Sequence, residues 1–234
     1  MIDFNKKTQA NTVDTGVAFG ERDESASVAF MKKTYQLLAL SMISAALGAY
    51  VTMPFAETIR SLQFLIWIAT MGIIFFAFTK ARENPSLQLG LLYAITFLTG
   101  VSIVPLLAYL IGSGNGAVIG NAFLMTAVLF GALSMFAINS KQDFSSWGKS
   151  LFITMWVIIG LSLINYFLLQ SPIMHIIISA AILLLFALFT IYDTQNLANG
   201  AYDSEVEAAL SLYLDFFNMF VALLQLLGIM GSDD

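Results

Sequence analysis

The sequence of 234 residues contains no cysteine and only one histidine. The lack of cysteine excludes disulfides, thiolate nucleophiles and cysteine-ligated metal or iron–sulfur sites. The chain also lacks the motifs of several enzyme classes, namely HExxH, GxSG, the Walker A sequence and the Rossmann glycine pattern. The histidine, His175, has no second histidine and no carboxylate near it in the sequence, so we interpret it as an interfacial residue. These absences predict that the protein is not an enzyme and needs no cofactor.

Charge is scarce as well. Only 11% of the residues are charged and 59% are hydrophobic, whereas soluble domains have about 25% charged and roughly 45 to 50% apolar residues. The mean hydropathy is +0.83. This composition predicts a polytopic, all-α membrane protein whose partner is the lipid bilayer, and a net charge of -5 gives no reason to expect a nucleic-acid partner. Spanning segments occupy nearly the whole chain, which leaves no room for a separate catalytic domain.

Charged residues and turns divide the apolar part of the chain into spans. A membrane helix needs about 20 apolar residues to cross roughly 30 Å of hydrocarbon. The glycine-rich turn at Gly112 to Gly116 divides an uncharged run from Asn84 to Ser140. The sequence therefore predicts seven transmembrane helices, while six spans with a re-entrant last segment remain an alternative. The predicted spans are about Tyr35 to Pro54, Leu62 to Thr79, Leu87 to Ile111, Val118 to Ile138, Ser150 to Leu169, Ile173 to Thr194 and Ala208 to Met230.

The distribution of basic residues predicts the orientation of these spans. The positive-inside rule counts Lys and Arg in short loops, and with a cytoplasmic amino terminus only Arg60 falls outside. The carboxyl terminus would then be external. We expect a disordered cytoplasmic tail over residues 1–30, without a signal-peptide pattern, and a transmembrane domain over residues 31–234. The nine basic residues predicted to be cytoplasmic are Lys6, Lys7, Arg22, Lys32, Lys33, Lys80, Arg82, Lys141 and Lys149.

Two carboxylates, Asp193 and Asp215, fall in or beside the last two predicted spans. An ionisable group at bilayer depth costs roughly 2.5 to 3.5 kcal/mol or more, which makes it a functional-site hypothesis. Asp215 belongs to a stripe of polar or small residues at steps of four and three, and this spacing places them on one helix face that should look inward. The stripe consists of Ser211, Asp215, Asn218, Ala222 and Gln225. The apolar residues between them predict a lipid-facing surface, from Leu210, Leu212, Leu214, Phe216, Phe217, Met219, Phe220, Leu223 and Leu224.

Structural interpretations of both carboxylates stay open at this point. Asp193 could be a solvated cap at the inner end of its helix. Asp215 could hold two helices together by bonding to Asn165 or Tyr166. An intramembrane aspartyl protease also places one Asp on each of two neighbouring helices, but in a GxGD context, whereas Asp215 follows LYL. The chain shows no inverted repeat either, which disfavours a secondary transporter.

Three segments carry a resemblance to a known family. They are KQDFSSWGKS at 141–150, YDTQ at 192–195 and SLYLDFFNMFVALLQLLG at 211–228. With them the chain resembles a bacterial member of the Bax inhibitor-1 family, also called transmembrane Bax-inhibitor-motif or lifeguard proteins. The resemblance implies six helices around a central seventh. For some bacterial members it further implies a pH-sensitive calcium leak controlled by two aspartates, which match Asp193 and Asp215.

The resemblance also implies a counter-ion. A basic residue near the end of the second helix would pair with the first aspartate in the closed state, and both Lys80 and Arg82 lie in the matching stretch TKAREN. We favour Arg82 because of its spacing to the TGVSIVP segment.

Two carboxylates within a few Å of each other in a site of low dielectric constant tend to share a proton. The site would therefore sense pH.

The resulting prediction is a pH-sensitive cation leak channel of the inner (plasma) membrane, with calcium as the ion that Asp193 and Asp215 would bind in passing. One alternative is a proton-coupled cation transporter. Another is a non-conducting regulator that binds a membrane AAA protease, since other bacterial relatives resemble such modulators. At least some of those relatives lack the first aspartate, so its presence here favours ion handling.

Overall fold

The computed structural model describes the backbone of residues 18–230 and the side chains of residues 25–75, 78–81 and 83–229. Most of the predicted polar tail and the predicted external carboxyl terminus therefore lie outside the described residues. The described part contains helices and no strand, which confirms the all-α prediction. Its α-helices are α1 (Ala18–Thr52), α2 (Ala56–Gly72), α3 (Pro85–Gly112), α4 (Ala117–Asn139), α5 (Gly148–Ile164), α6 (Pro172–Ala198) and α7 (Glu205–Met230).

Short irregular turns join or extend these helices. One-turn 3₁₀ segments lie at Met53–Phe55, Ala81–Glu83 and Ser145–Trp147, and π-helical segments lie at Ile73–Phe78 and Asn165–Leu169. In the described part, six segments are long and apolar enough to cross a membrane, because α1 and α2 form one segment of 51 residues, Ser25–Phe75. The multi-pass membrane protein is thus confirmed, and the count of seven spans stays a prediction.

Local sequence explains where several helices begin and end. α3 and α6 each start at a proline, Pro85 or Pro172, which suits the first helical position because proline has no N–H to leave unsatisfied. The preceding Asn84 and Ser171 accept hydrogen bonds from backbone N–H groups of the first turn, at 3.1 and 3.3 Å. α6 ends before Gly200, whose φ of +69° is one that glycine adopts without strain. The predicted glycine-rich turn at 112–116 also separates α3 from α4.

The last helix lies inside the bundle. α7 packs against α1, α3, α4 and α6, and α3 and α7 bury the largest share of any candidate span. The predicted lipid-facing surface of α7 is therefore wrong. Leu212, Met219 and Leu224 have no exposed area at all, and Leu210, Phe216 and Leu223 are buried too. Hydrophobicity does not distinguish a lipid contact from a protein contact, and here the neighbouring helices supply the apolar environment.

Small residues bring α1 close to α3. A Cβ placed on Gly100 would overlap the carbonyl oxygen of Ala45, and one placed on Gly48 would overlap the carbonyl oxygen of Phe97. The Ser44 hydroxyl donates to the Tyr93 carbonyl oxygen at 3.0 Å. The two backbones can approach this closely only because no side chain lies between them, as is common where membrane helices pack.

This contact predicts that Gly100→Ala destabilises the protein. Because a rigid carbonyl opposes the new methyl group, one of the two helices must shift, and overpacking of this kind costs roughly 1 to 3 kcal/mol. Gly131→Ala on α4 is the matched control, since nothing lies within 4 Å of a Cβ at that position. Thermal unfolding in detergent should show a lower midpoint for Gly100→Ala and an equal or higher one for Gly131→Ala. Equal shifts in both variants would contradict the close contact.

Candidate functional site

The YDTQ segment of α6 directs four consecutive side chains to four different partners. Because successive residues of an α-helix are about 100° apart, such a segment reaches around the whole helix. Tyr192 packs over Gly148, where a Cβ would overlap the tyrosine hydroxyl. Thr194 and Ser134 of α4 share a hydrogen bond of 3.2 Å between their hydroxyl groups. Asp193 turns toward α7, so this segment joins the interior site to the surrounding helices.

The fourth residue, Gln195, holds the loop between α4 and α5. Its amide nitrogen donates to the Gln142 carbonyl oxygen at 2.7 Å, and its amide oxygen accepts the Phe144 N–H at 2.6 Å. Asp143 accepts the Ser145 N–H at 2.9 Å, and the hydrogen bonds from the Ser145 backbone and hydroxyl lower the pKa of the Asp143 carboxyl. The KQDFSS stretch is therefore a fixed loop on the end of α6.

The two aspartates meet in the interior. Asp193 is 8% exposed and Asp215 is 2% exposed, and their carboxyl groups interact directly. Among the described residues, the Asp215 Oδ2 atom has no hydrogen-bond partner. Two buried carboxylates that face each other cannot both carry a charge at low cost. Such a pair can take up a proton or a cation at lower cost than it can carry two charges.

The structure changes how each carboxylate is interpreted. α6 continues five residues beyond Asp193 to Ala198, so the interpretation of Asp193 as a solvated cap at the helix end is wrong. The proposed structural partners of Asp215 are wrong too. Asn165 instead holds the turn before α6, accepting the Ser171 N–H at 3.0 Å, and Tyr166 is 70% exposed.

A third residue, Tyr202, completes the site. It lies in the loop between α6 and α7, and its hydroxyl faces the Asp193 carboxyl and the Ser211 hydroxyl. Burial, followed by the charge of Asp193, raises the pKa of Tyr202 above its usual range. The phenol therefore stays protonated and can donate a hydrogen bond to the carboxyl. Sequence reasoning missed it, because a single tyrosine in an irregular loop has no periodicity to mark it.

A cavity of about 460 Å³ leads to this site, and we call it the Asp193 cavity. Its wall includes residues of α6, of α7, and of the loops that join α4 to α5 and α6 to α7. Asp215 lies one turn beyond Ser211 on α7, behind the wall of the cavity. The lining residues are Ser145, Tyr192, Asp193, Asn196, Ala201, Tyr202, Asp203, Glu207 and Ser211.

A second cavity, of about 470 Å³, lies further along α7, and we call it the Arg60 cavity. Side chains from α2, α3, α7 and the segment after α5 form its wall. The polar stripe of α7 reaches it through Gln225, whose side-chain oxygen accepts the Ser179 hydroxyl at 2.8 Å. The lining residues are Arg60, Gln63, Ser102, Ile103, Pro105, Leu106, Tyr166, Phe217, Val221 and Gln225.

The other predicted site residues have mixed positions. Asn218 donates back to the Leu214 carbonyl oxygen of its own helix at 2.7 Å. Lys80 is exposed, and the structure gives it no ion pair with any described residue. The side chain of Arg82 lies outside the described residues. Within the described ranges no third carboxylate, histidine or cysteine joins Asp193 and Asp215 in a metal-binding cluster.

Comparison with known proteins shows that this chain is similar to membrane proteins. A family model described as "Inhibitor of apoptosis-promoting Bax1" matches residues 28–232. An uncharacterised protein of Campylobacter jejuni is 43% identical over 203 residues, covering 85% of this chain and 87% of the relative. An uncharacterised membrane protein of Vibrio cholerae is 33% identical over 207 residues, with 87% and 91% coverage. Mouse protein lifeguard 4 is 29% identical over 238 residues, with 97% and 98% coverage.

Proposed function

Because this chain belongs to the Bax inhibitor-1 family, we propose that it is a pH-sensitive cation leak channel whose gate is the pair Asp193 and Asp215. The observation that carries the proposal is the proximity of two buried and interacting carboxyl groups, one with an oxygen that has no hydrogen-bond partner among the described residues, beside a cavity that Asp193 lines. A structural role alone would not require two acids in contact, since a hydrogen-bonded amide would join the helices at lower cost.

Calcium is the proposed permeant ion. Calcium takes six to eight oxygen ligands, whereas two carboxylates supply at most four. Water from the Asp193 cavity would provide the remaining ligands. Incomplete coordination suits conduction, because an ion must bind well enough to enter a site and weakly enough to leave it. The ion is therefore a passing substrate, and the inner membrane is the proposed location.

The proposed gate works through the charge of the pair. Near neutral pH a cation at the end of the second span, Arg82 or Lys80, pairs with ionised Asp193 and holds the closed state. Protonation removes the negative charge, weakens this ion pair and favours opening. Acidification therefore increases the leak.

The proposed ion path depends on how many times the chain crosses the membrane, and we propose seven spans. A continuous helix of 51 residues would be about 76 Å long, far more than the roughly 30 Å of hydrocarbon. The contacts of α1 advance along α3 in the same direction, from Ser44 with Tyr93 to Gly48 with Phe97. α2 begins near Val104 of α3. From there the chain leads back to Pro85, the first residue of α3. Together α1 and α2 thus form a hairpin that turns at Met53–Phe55.

This hairpin predicts the topology. With seven spans and nine of ten basic residues on one side, a reporter fused after Asp234 should be external, and one inserted between Asp143 and Lys149 should be cytoplasmic. Paired alkaline phosphatase and fluorescent-protein fusions report the two sides. A cytoplasmic signal at Asp234, with the loop fusion unchanged, would contradict seven spans.

The functional alternatives separate in one vesicle experiment. A channel lets calcium move down its gradient when the pH is equal on both sides, whereas a proton-coupled transporter moves calcium uphill when only a proton gradient is imposed. We expect downhill leak at equal pH and no uphill movement. Uphill uptake would assign the protein to the transporters. Calcium movement equal to that of protein-free vesicles would favour a non-conducting regulator of a membrane AAA protease.

A further inference from the structure

The Arg60 cavity is lined by both polar and apolar side chains. Arg60 and Gln63 of α2 and Gln225 of α7 provide polar side chains, while Leu106 and Phe217 provide apolar surface. Gln63 donates to the Ser102 carbonyl oxygen at 2.8 Å, which fixes one wall. Arg60 is exposed, and the described part of the chain contains no acidic side chain within ion-pair distance of it. Its charge is therefore available to the cavity.

The two cavities approach each other along α7. Ser211 lines the Asp193 cavity and Phe217 lines the Arg60 cavity. They are six positions apart, which corresponds to about 9 Å along the helix axis. Asp215 lies within this interval and is the buried acid of the pair. The two cavities thus lie at different levels of α7, with the buried acid between them along the helix axis, and Asp215 and Phe217 project from opposite sides of the helix, about 200° apart.

We propose that the Arg60 cavity is the external vestibule of the ion path and that the fixed positive charge of Arg60 limits how many cations occupy it. This inference rests on the proposed cation leak and adds the opposite end of the path, together with a residue that restricts the flow. Arginine remains protonated at all physiological pH values. The restriction imposed by Arg60 is therefore permanent, unlike that of the aspartate pair.

The physical signature of such a charge is its dependence on salt and valence. Two unit charges about 10 Å apart in water interact weakly, and the Debye length falls from about 30 Å at 0.01 M to about 3 Å at 1 M salt. Neutralising Arg60 should therefore raise calcium occupancy roughly two- to four-fold at about 0.01 M salt and leave it unchanged at about 1 M. The logarithm of the effect should be twice as large for a divalent as for a monovalent cation.

Cysteine labelling tests the vestibule without measuring flux. The natural chain has no cysteine, so single substitutions need no altered background. Val221 lines the Arg60 cavity, whereas Leu224 lies nearby on α7 and is completely buried. A membrane-impermeant, charged thiol reagent added outside should modify Val221→Cys and leave Leu224→Cys unmodified. Failure to modify Val221→Cys in folded protein would mean that lipid or side chains fill the cavity, which would overturn the vestibule.

The same variant reports the charge of Arg60. Two methanethiosulfonate reagents, one anionic and one cationic, are compared at low salt. The ratio of the anionic to the cationic reaction rate should be higher for Val221→Cys than for a free thiol in solution. Adding Arg60→Gln should remove this preference, while adding Arg60→Lys should preserve it. A reagent preference that Arg60→Gln leaves unchanged would overturn the role of Arg60, even if the vestibule itself is accessible.

Flux then completes the test. Arg60→Gln should leak calcium roughly two- to four-fold faster than the wild type at about 0.01 M salt, and the difference should disappear at about 1 M. Glu57→Gln, one turn earlier on α2 and outside the cavity lining, should not produce this salt-dependent increase. A wild-type leak that Arg60→Gln leaves unchanged at low salt would overturn the inference alone. Absence of any wild-type leak would instead reject the proposed function, while the labelling result would still decide whether the vestibule exists.

Discussion

Asp215→Asn is expected to shift the dependence of calcium leak on pH to lower pH values while the protein stays folded and inserted. Asparagine has almost the same shape as aspartic acid but carries no charge and no titratable proton. Asp193 still titrates in this variant, but the neighbouring acid that opposes its ionisation is gone, so a lower pH is needed to remove the charge of Asp193 and open the gate. Stability should not fall, because an amide at this position can donate to Asp193 and leaves one less buried charge to accommodate.

The measured quantity is leak per folded molecule across a series of pH values, with folded protein quantified by size-exclusion chromatography and thermal unfolding. Asn218→Ala is the matched control, since Asn218 lies one turn away on α7 and bonds only to its own helix in the described hydrogen bonds. Its pH profile should match that of the wild type. A pH response in Asp215→Asn that is not shifted from that of the wild type, or a loss of stability with unchanged leak per molecule, would assign Asp215 a structural role.

The second large effect concerns the proposed ion pair between the second span and α6. Arg82→Ala should give a leak that depends less on pH, because the closed state loses the cation that holds ionised Asp193. Asp193→Asn should do the same in a chain that keeps Arg82. The double variant should add little to either single change, since both remove the same contact.

Lys80→Ala decides between the two candidate cations. If Arg82 is the partner, Lys80→Ala keeps the wild-type pH profile, and if Lys80 is the partner, the two alanine variants exchange their results. The measurement is the same series of leak rates, compared as a double-mutant cycle. Additive effects of Arg82→Ala and Asp193→Asn, or pH dependence retained in both, would assign the gate to other residues.

The sequence predicted the elements of the site better than their surroundings. Spacing on one helix placed Asp215 on the same face as Ser211 and Gln225, and both of these line cavities in the structure. The same spacing misassigned the opposite face of α7, because a leucine such as Leu212 suits lipid and protein equally well. Only the packing of four neighbouring helices determines which of the two it contacts.

Other features depend on contacts that no local pattern reveals. Gln195 holds residues 51 and 53 positions away in the chain, and Tyr202 reaches Asp193 only because the loop after α6 folds back over the site. The Arg60 cavity combines residues from α2, α3 and α7. The hydropathy of a single segment carries no information about such pairings, so they required the three-dimensional arrangement.

The central claim is that protonation of the aspartate pair controls a cation leak. Its most direct test is calcium leak from proteoliposomes at equal pH inside and outside, over a pH series, for the wild type and for the Asp193→Asn, Asp215→Asn double variant. The account predicts a wild-type leak above that of protein-free vesicles that increases as the pH falls, and a leak in the double variant that does not change with pH. A wild-type rate equal to that of protein-free vesicles, or the same pH profile in both proteins, would contradict it.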